Sequence, residues 1–430
     1  MDINQIFDLY QQHPCITTDS RHCPVGSIFI ALKGESFDGN RFAASALEKG
    51  CSYAIVDEAQ YATDSRFILV DDTLVTYKEL ARLHRRQFNI PVVGITGTNG
   101  KTTTKELIAA VLSKKYRVLA TEANYNNDVG VPRTLLRISP EHEIAVVEMG
   151  ASHPGDIRKL VEYAEPTCGL ITNVGVAHLQ GFGSFEGVKR TKGELYDFLK
   201  AHEGLVFLNS SNENLSEMVT ERGITHTLTY GEDGTGEVTG SVSACSPFLE
   251  FNWQWKGSSH HVSTHLIGAY NLDNMLAAIT VGLHFGVSIT DICDALEAYQ
   301  PGNNRSQLTV TPHNKLIVDA YNANPTSMAA ALDNFARMDC KPKMAILGDM
   351  RELGTVSAAE HQKTVDRLAT AGFDTVWLVG PEFAKTRCDF RKFADTEEVK
   401  KAIAAHQPQG FYILIKGSNG IRLFELPSLL

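Results

Sequence analysis

The stretch IPVVGITGTNGKTTTKELIAAVL, residues 90–112, decides the fold. Its opening, IPVVGIT, is a short apolar run of the kind that forms a buried strand. A glycine-rich turn follows, and then a helical pattern with Leu107, Ile108, Val111 and Leu112 as its apolar stripe. Within GITGTNGKTTTKE (94–106), glycines let the backbone curl so that amide N–H groups of Gly97, Thr98, Asn99 and Gly100 point at phosphates. Lys101 brings charge to the outer phosphates, and the hydroxyl of Thr102 or Thr103 can hold Mg²⁺. The start of the helix adds its dipole. The standard phosphate-loop spacing needs glycine at position 95, which is Ile95; the glycines stand at 94, 97 and 100, so this is a variant loop. The other reading of the same letters is a glycine-rich strand–helix turn that binds nothing.

The pattern of apolar run followed by helical stripe recurs outward from this point, which predicts an α/β protein. Residues 1–88 read as a small N-terminal α/β module. Its strands are YAIVD (53–57) and FILVD (67–71), its helices FAASALEKG (42–50) and a segment from about Thr76. Residues 89–300 form a central parallel-sheet domain of the ATP-binding type. Its further strands are EIAVVEMG (143–150) and CGLITNV (168–174), with a β-rich excursion at about 225–266 and a helix from Asn271. Residues 301–430 follow a turn at QPGNNRSQ (300–307) and read as a doubly wound, Rossmann-like domain with strands LIVDA, MAILGD, TVWLVG and FYILIK.

Composition limits the function. The chain has 430 residues, 43% hydrophobic and 21% charged, which excludes disordered and low-complexity classes. No apolar run approaches the roughly 20 residues that span a bilayer, and MDINQIFDLY lacks the features of a signal peptide. A cytoplasmic protein is expected. Eight scattered cysteines without paired spacing argue for free thiols, not for disulfides or a zinc site. A net charge of −10 without a basic block makes nucleic acid an unsuitable partner.

Five apolar strands end in polar or ionic residues: Glu148, Asn173, Asp319, Asp349 and Lys416. In open parallel sheets, ligands bind beyond the carboxyl ends of the strands. Glu148 there suits a Mg²⁺ ligand or is a solvated strand-end acid. His178, just past another strand, is a metal ligand or a hydrogen-bonded structural histidine. Lys192 falls on the apolar stripe of a helix at about 184–199, between Val188 and Leu195, with Lys189 nearby. Desolvation and like charge lower an ammonium pKa, and a neutral amine can take up CO₂ as a carbamate; the alternative is a lysine that snorkels to solvent. Asn271 could be a helix N-cap. Arg305 could clamp a phosphate or be an ordinary linker arginine. Asp319 could accept from a ribose hydroxyl, and Lys416 could meet an anion.

Taken together, these segments resemble the Mur ligase family along nearly the whole chain. The N-terminal block is TTDSRHCPVGSIFIALKGESFDGNRF. The central block holds GTNGKTTTKE, NYNNDVGVP, EMGASHPGD, TNVGVAHLQGFGS, KGE and GAYNLDN. The C-terminal block holds NNRSQ, DAYNANPTSM, LGDMRELG and KGS. The resemblance implies an ATP-dependent ligase that forms a C–N bond through an acyl phosphate. DAYNANPTSM and LGDMRELG point to the member that joins D-Ala-D-Ala to a UDP-N-acetylmuramoyl-tripeptide. Rival readings are the ligase adding the third peptide residue, a folylpolyglutamate synthetase, and a small-molecule kinase.

Carried over by position, the resemblance implies that Lys101, Lys192, His178 and Arg305 serve catalysis. Gly97, Thr98, Asn99, Gly100, Lys101, Thr102, Thr103, Asn271, Arg305 and Asp319 would contact ATP. Thr102, Glu148, His178 and a carbamylated Lys192 would bind two Mg²⁺ ions. Ser20, Arg21, Lys33, Asn126, Asn127, Asn322, Asn324 and Lys416 would meet the UDP-linked peptide or the incoming amine. The expected enzyme is a monomer without a membrane span. Three positions depart from the family pattern: Ser152 where EMGANH has Asn, Asn419 where KGSR has Arg, and Asn304 where Gly is common before Arg305.

Overall fold

The computed structural model describes residues 1–34, 36–232, 234, 236–302 and 307–430. Three sheets organise it. The first is four-stranded and parallel, in the order Ile16–Thr17, Ile28–Ile30, Tyr53–Val56, Phe67–Leu69. Its second strand, and the helix Ile3–Gln12 that packs beside it, carry too short an apolar signal to stand out in sequence. The helix expected from Thr76 begins at Thr73, because the Asp72 carboxylate accepts from the Val75 amide and caps it there.

The central sheet has nine strands. From one edge they run Val118–Ala120, Ile144–Glu148, Val92–Thr96, Cys168–Ile171, Leu205–Asn209, Thr227–Glu232, Val238–Cys245, Phe248–Trp255 and Ser258–Ile267. All neighbours are parallel except in the final meander, which is antiparallel. Every residue of Val92–Thr96 and of Ile144–Glu148 is buried, as a strand covered on both faces requires. One face is covered by helices Lys101–Leu112, Leu272–His284 and Ile289–Ala298, the other by Asp156–Ala164, Phe185–Ala201 and Glu213–Arg222. The two faces bury separate apolar clusters, so the strand ends are fixed from both sides.

The third sheet has six strands in the order Gln307–Val310, Lys315–Asp319, Tyr412–Lys416, Lys343–Gly348, Thr375–Val379, Arg391–Phe393. Only the first pair is antiparallel. Two edge strands thus join the four read from sequence. All eight cysteines are free. Among the described residues no helix is long and apolar enough to cross a membrane.

The first sheet is attached to the second chiefly through the helix Thr73–Arg86. Arg85 is buried and donates to the carbonyls of Phe88, Ile90, Ala164 and Glu165 at 2.7, 3.2, 3.3 and 3.5 Å. Burial pulls its guanidinium below the usual arginine range. Arg82 and Arg86 close on the carboxylate of Glu165 beside it. Arg85→Ala would strand these carbonyls, because a buried acceptor without a donor keeps its desolvation penalty. We expect a loss of about 2–4 kcal/mol in urea unfolding. The same change at exposed Arg41 should shift the midpoint little.

Candidate active site

The carboxyl ends of the central and C-terminal sheets face one cleft of about 690 Å³. Glu148, Asn173, Asp319 and Lys416, four of the five polar strand ends, line it. Asp349 does not: its carboxylate accepts from the amides of Glu382 and Phe383, and so ties two loops of the C-terminal domain together.

The loop between Thr96 and Lys101 is held by its neighbours. The Asn173 side chain accepts from the Asn99 amide at 3.0 Å and donates to the Asn99 carbonyl at 3.1 Å. The Thr172 hydroxyl donates to the same carbonyl at 2.6 Å. The Thr98 amide donates to the Asn173 carbonyl at 2.9 Å. Two glycines make this approach possible. Gly97 has φ +144°, and a Cβ there would sit 2.0 Å from the Thr172 hydroxyl; Gly100 has φ +80°, and its Cβ would sit 2.7 Å from the Asn274 carbonyl oxygen. Lys101, at the start of the helix, folds back onto the Gly97 and Thr98 carbonyls at 2.8 and 3.0 Å. The result is a curled loop ahead of a helix N-terminus, with a lysine over it, which is a cradle for phosphate.

Thr102, one residue on, donates to Glu148 Oε1 at 3.2 Å, and Asn126 donates to the same oxygen at 2.7 Å. Both Thr102 and Glu148 are buried. Glu148 Oε2 is buried without a hydrogen-bond partner. A carboxylate oxygen left unpaired in the interior is costly, and a divalent cation beside it would relieve that cost. The hydroxyl, amide and carboxylate are hard oxygen donors of the type Mg²⁺ takes. Among the described residues no three His, Cys, Asp or Glu side chains gather as a complete metal set. A cation at Glu148 would therefore share its coordination with phosphate oxygens and water.

His178 lines the cleft with its backbone left-handed, and its Nδ1 meets the Glu352 carboxylate. Burial pulls its pKa down, helped by the ammonium groups of Lys101 and Lys192, against the opposing pull of Glu352. Lys192 is 2% exposed, so it does not snorkel. Its Nζ lies 5.5 Å from the centre of the Phe182 ring and is not among the cleft-lining groups. Burial, with the charge of Lys101, pulls its pKa well below the usual lysine value, opposed by Asp156 and Glu194. Glu194, two residues on, accepts from the amides of Gly155 and Arg158 and so caps the helix that carries Asp156.

Asn271 does not cap its helix through its side chain. It donates to the Ile267 carbonyl and accepts from Asn274 at 2.8 Å, and Asn274 accepts from Thr104 at 2.9 Å. Beside it Asp273 lines the cleft with its pKa raised to about 6 by burial and by Glu232, against the hydrogen bond to Asn209. Lys416 is buried and pairs with Asp319 at 2.5 Å, with a second bond to the Asn322 carbonyl at 3.2 Å. Asn324 caps the helix Pro325–Arg337 and reaches across to the phosphate loop, donating to the Asn99 side-chain oxygen at 2.8 Å. Asn127 caps the turn into Gly130–Leu135 through the amides of Val129 and Gly130, and lines the cleft with Asn126, Thr103 and Asn322.

The N-terminal candidates lie apart. Ser20, Arg21 and Lys33 are not among the cleft-lining residues. Arg21 forms a two-point bond with Asp19, and Lys33 pairs with Asp57 and Glu58. Arg305, with Asn304, lies outside the described residues. Ser152 lines the cleft, its hydroxyl on His153 Nδ1 at 3.1 Å. Asn419 opens a short turn that the Arg351 guanidinium contacts at the Gly420 carbonyl. Sequence reading passed over Asn274, Thr172 and Glu352. Asn274 was legible as a polar residue three after Asn271 on an apolar helix; Thr172 shows only once its strand lies beside the 96–101 loop, and Glu352 only once the two domains are assembled.

Gly97→Ala should lower affinity for a nucleoside triphosphate at least tenfold in calorimetric titration, because both the added Cβ and the positive φ oppose the curled loop. Circular dichroism should be unchanged.

Comparison with known proteins identifies the family and the fold. Residues 14–98 match the Mur ligase family catalytic domain, 95–282 the Mur ligase middle domain, and 304–419 the Mur ligase glutamate ligase domain. The UDP-N-acetylmuramoyl-tripeptide–D-alanyl-D-alanine ligase of Synechocystis is 36% identical, covering 96% of this chain and 91% of the relative. MurF from Acinetobacter baumannii superimposes with a TM-score of 0.88 at 31% identity, over 98% of this chain and 97% of that one. MurF ligase from Thermotoga maritima, solved with ADP, gives a TM-score of 0.87 at 28% identity, over the same shares of the two chains. The chain belongs to the Mur ligase family.

Proposed function

We propose that this chain is the ATP-dependent ligase that joins D-Ala-D-Ala to a UDP-N-acetylmuramoyl-tripeptide, the last cytoplasmic peptide addition in peptidoglycan precursor synthesis. The observation that carries it is the curled 97–101 loop beside buried Glu148, in a cleft shared by two domains. Relatives named for this reaction match the chain along nearly its full length. Residues 1–88 would bind the UDP moiety, 89–300 ATP, and 301–430 would close on the site. The enzyme would work as a monomer.

The substrate carboxylate oxygen attacks the γ-phosphorus of ATP. The bond to the bridging oxygen breaks, leaving ADP and an acyl phosphate. The D-Ala-D-Ala amine nitrogen then attacks the acyl carbon, the carbon–oxygen bond to phosphate breaks, and the nitrogen loses its proton. Phosphate is the better leaving group, which is why ATP is consumed. The protein's share is placement and charge neutralisation. The 97–100 amides and Lys101 would orient the phosphates, with Arg305 as a second cation. Thr102 and Glu148 would hold one Mg²⁺, and His178 with the carbamate on Lys192 would help hold a second; the metal would supply positive charge to the phosphate oxygens. Asn271 and Asp319 would contact the nucleoside. Asn126, Asn127, Asn322, Asn324 and Lys416 would frame the peptide and the amine. Ser20, Arg21 and Lys33 would exchange their present partners for the UDP substrate.

Lys192 would carry a carbamate. Its depressed pKa supplies the neutral amine, which adds to CO₂ and loses a proton, so a cation becomes an oxygen-ligand anion for a second Mg²⁺.

With Mg-ATP and the UDP-linked tripeptide, phosphate release should require D-Ala-D-Ala, and mass spectrometry should find a pentapeptide nucleotide. Lys101→Ala should cut kcat by at least 100-fold with the fold intact. Turnover with a different amine alone would overturn the substrate assignment. Lys192→Ala should lose activity and regain part of it with added short carboxylates. No such rescue, and no carbamate carbon signal from labelled bicarbonate, would remove the carbamate.

A further inference from the structure

Seven described non-glycine residues have positive φ, and two of them face each other across the domain boundary: His178 at +50° and Glu352 at +63°. A left-handed backbone at such residues is uncommon and persists where the surroundings enforce it. Here the His178 ring reaches Glu352 through Nδ1, and the Glu352 carbonyl accepts from the Gln180 amide. The loop bearing Glu352 is fixed from behind. The Met350 amide donates to Nε2 of buried His361 at 3.0 Å, and the Arg351 amide to the Ser418 hydroxyl at 3.0 Å. On the other side, the His178 ring packs edge-on to Phe182, whose ring also faces Lys192.

From this juxtaposition we infer that Glu352 is a positioning residue. It holds the His178 proton on Nδ1 and leaves Nε2 as the free lone pair at the cleft. Which ring nitrogen of a histidine can ligate is set by the bond the other one makes. A carboxylate behind a ligating histidine also orients the ring and raises its basicity. The carboxylate comes from the C-terminal domain and the histidine from the central one. His178 is therefore made ready as a ligand only when the two domains are together. The consequence for metal rests on the proposed reading of His178 as a ligand; the tautomer itself does not.

The test uses the full chain labelled with nitrogen-15 histidine, in mildly alkaline buffer, with His178 assigned by its loss in His178→Gln. Long-range nitrogen spectra of the metal-free wild type should show the proton on Nδ1. Glu352→Ala should move it toward the Nε2-protonated form, and Glu352→Gln, which keeps an acceptor oxygen, should largely restore it. Mn²⁺ affinity in the presence of a non-hydrolysable ATP analogue, read by electron paramagnetic resonance, should fall about 10–100-fold in Glu352→Ala. An unchanged Nδ1 proton in a folded Glu352→Ala protein would overturn the inference. Unchanged Mn²⁺ affinity in His178→Ala would instead overturn the ligand reading, while a tautomer that still answers to Glu352 would support the positioning role.

Discussion

The geometry of the cleft depends on the exchange of hydrogen bonds between the Asn173 side chain and the main chain of Asn99. That one amide, helped by Thr172, keeps the segment from Gly97 to Lys101 curled. Everything nearby takes its place from the curl. Lys101 can fold over the loop, Thr102 falls within reach of Glu148, and Thr104 within reach of Asn274. Each bond contributes about 1 kcal/mol net. The Asn173 and Thr172 bonds to the loop act together because they converge on the main chain of Asn99 and its neighbour Thr98. The loop's shape is thus held by protein groups: Asn173, Thr172 and the helix that follows.

The same loop is also where the C-terminal domain takes hold. Asn324 binds the Asn99 side chain, and Thr326 accepts from the Val176 amide. Asn324 is at once a helix cap and a contact across the cleft, so the helix Pro325–Arg337 cannot shift without disturbing Asn99. Asp319 and Lys416, paired at the ends of adjacent strands, hold the facing wall. Polar groups from two separately built sheets therefore converge on one space, and the phosphate loop senses both.

Much of the fold was legible in the sequence because the strands buried on both faces are continuous apolar runs. IPVVGIT, EIAVVEMG, MAILGD and FYILIK all became strands near their expected positions. What escaped were Leu205–Asn209, though apolar and fully buried, and elements whose burial depends on distant partners: Ile28–Ile30, three residues long, the edge strands Val118–Ala120, Gln307–Val310 and Arg391–Phe393, and the helix Ile3–Gln12. For the site, the 94–106 loop stood out by its glycine spacing, and Glu148 and His178 by their places at or just past strand ends; all three contribute to the cleft lining. Lys192 needed the structure to decide between burial and snorkelling. Asp349 shows the limit of positional reasoning, since a strand-end carboxylate can be consumed by neighbouring amides. Asn274 and Glu352 matter through partners 170 and 174 residues away, a relation no local pattern encodes.

Arg85 has a bearing on how such proteins diversify. It joins the first module to the second by gripping the main-chain carbonyls of Ile90, Ala164 and Glu165, with a fourth bond to Phe88 in its own module. A guanidinium that reads carbonyl oxygens is indifferent to the side chains those residues bear. The seam between the first and second modules can accordingly tolerate a change of side chain at Ile90 or Ala164 while this joint stays aligned. The rest of the interface is less permissive: Lys78 pairs with Asp128, and Arg82 and Arg86 with Glu165, so a front module exchanged between homologues would have to match those side chains as well.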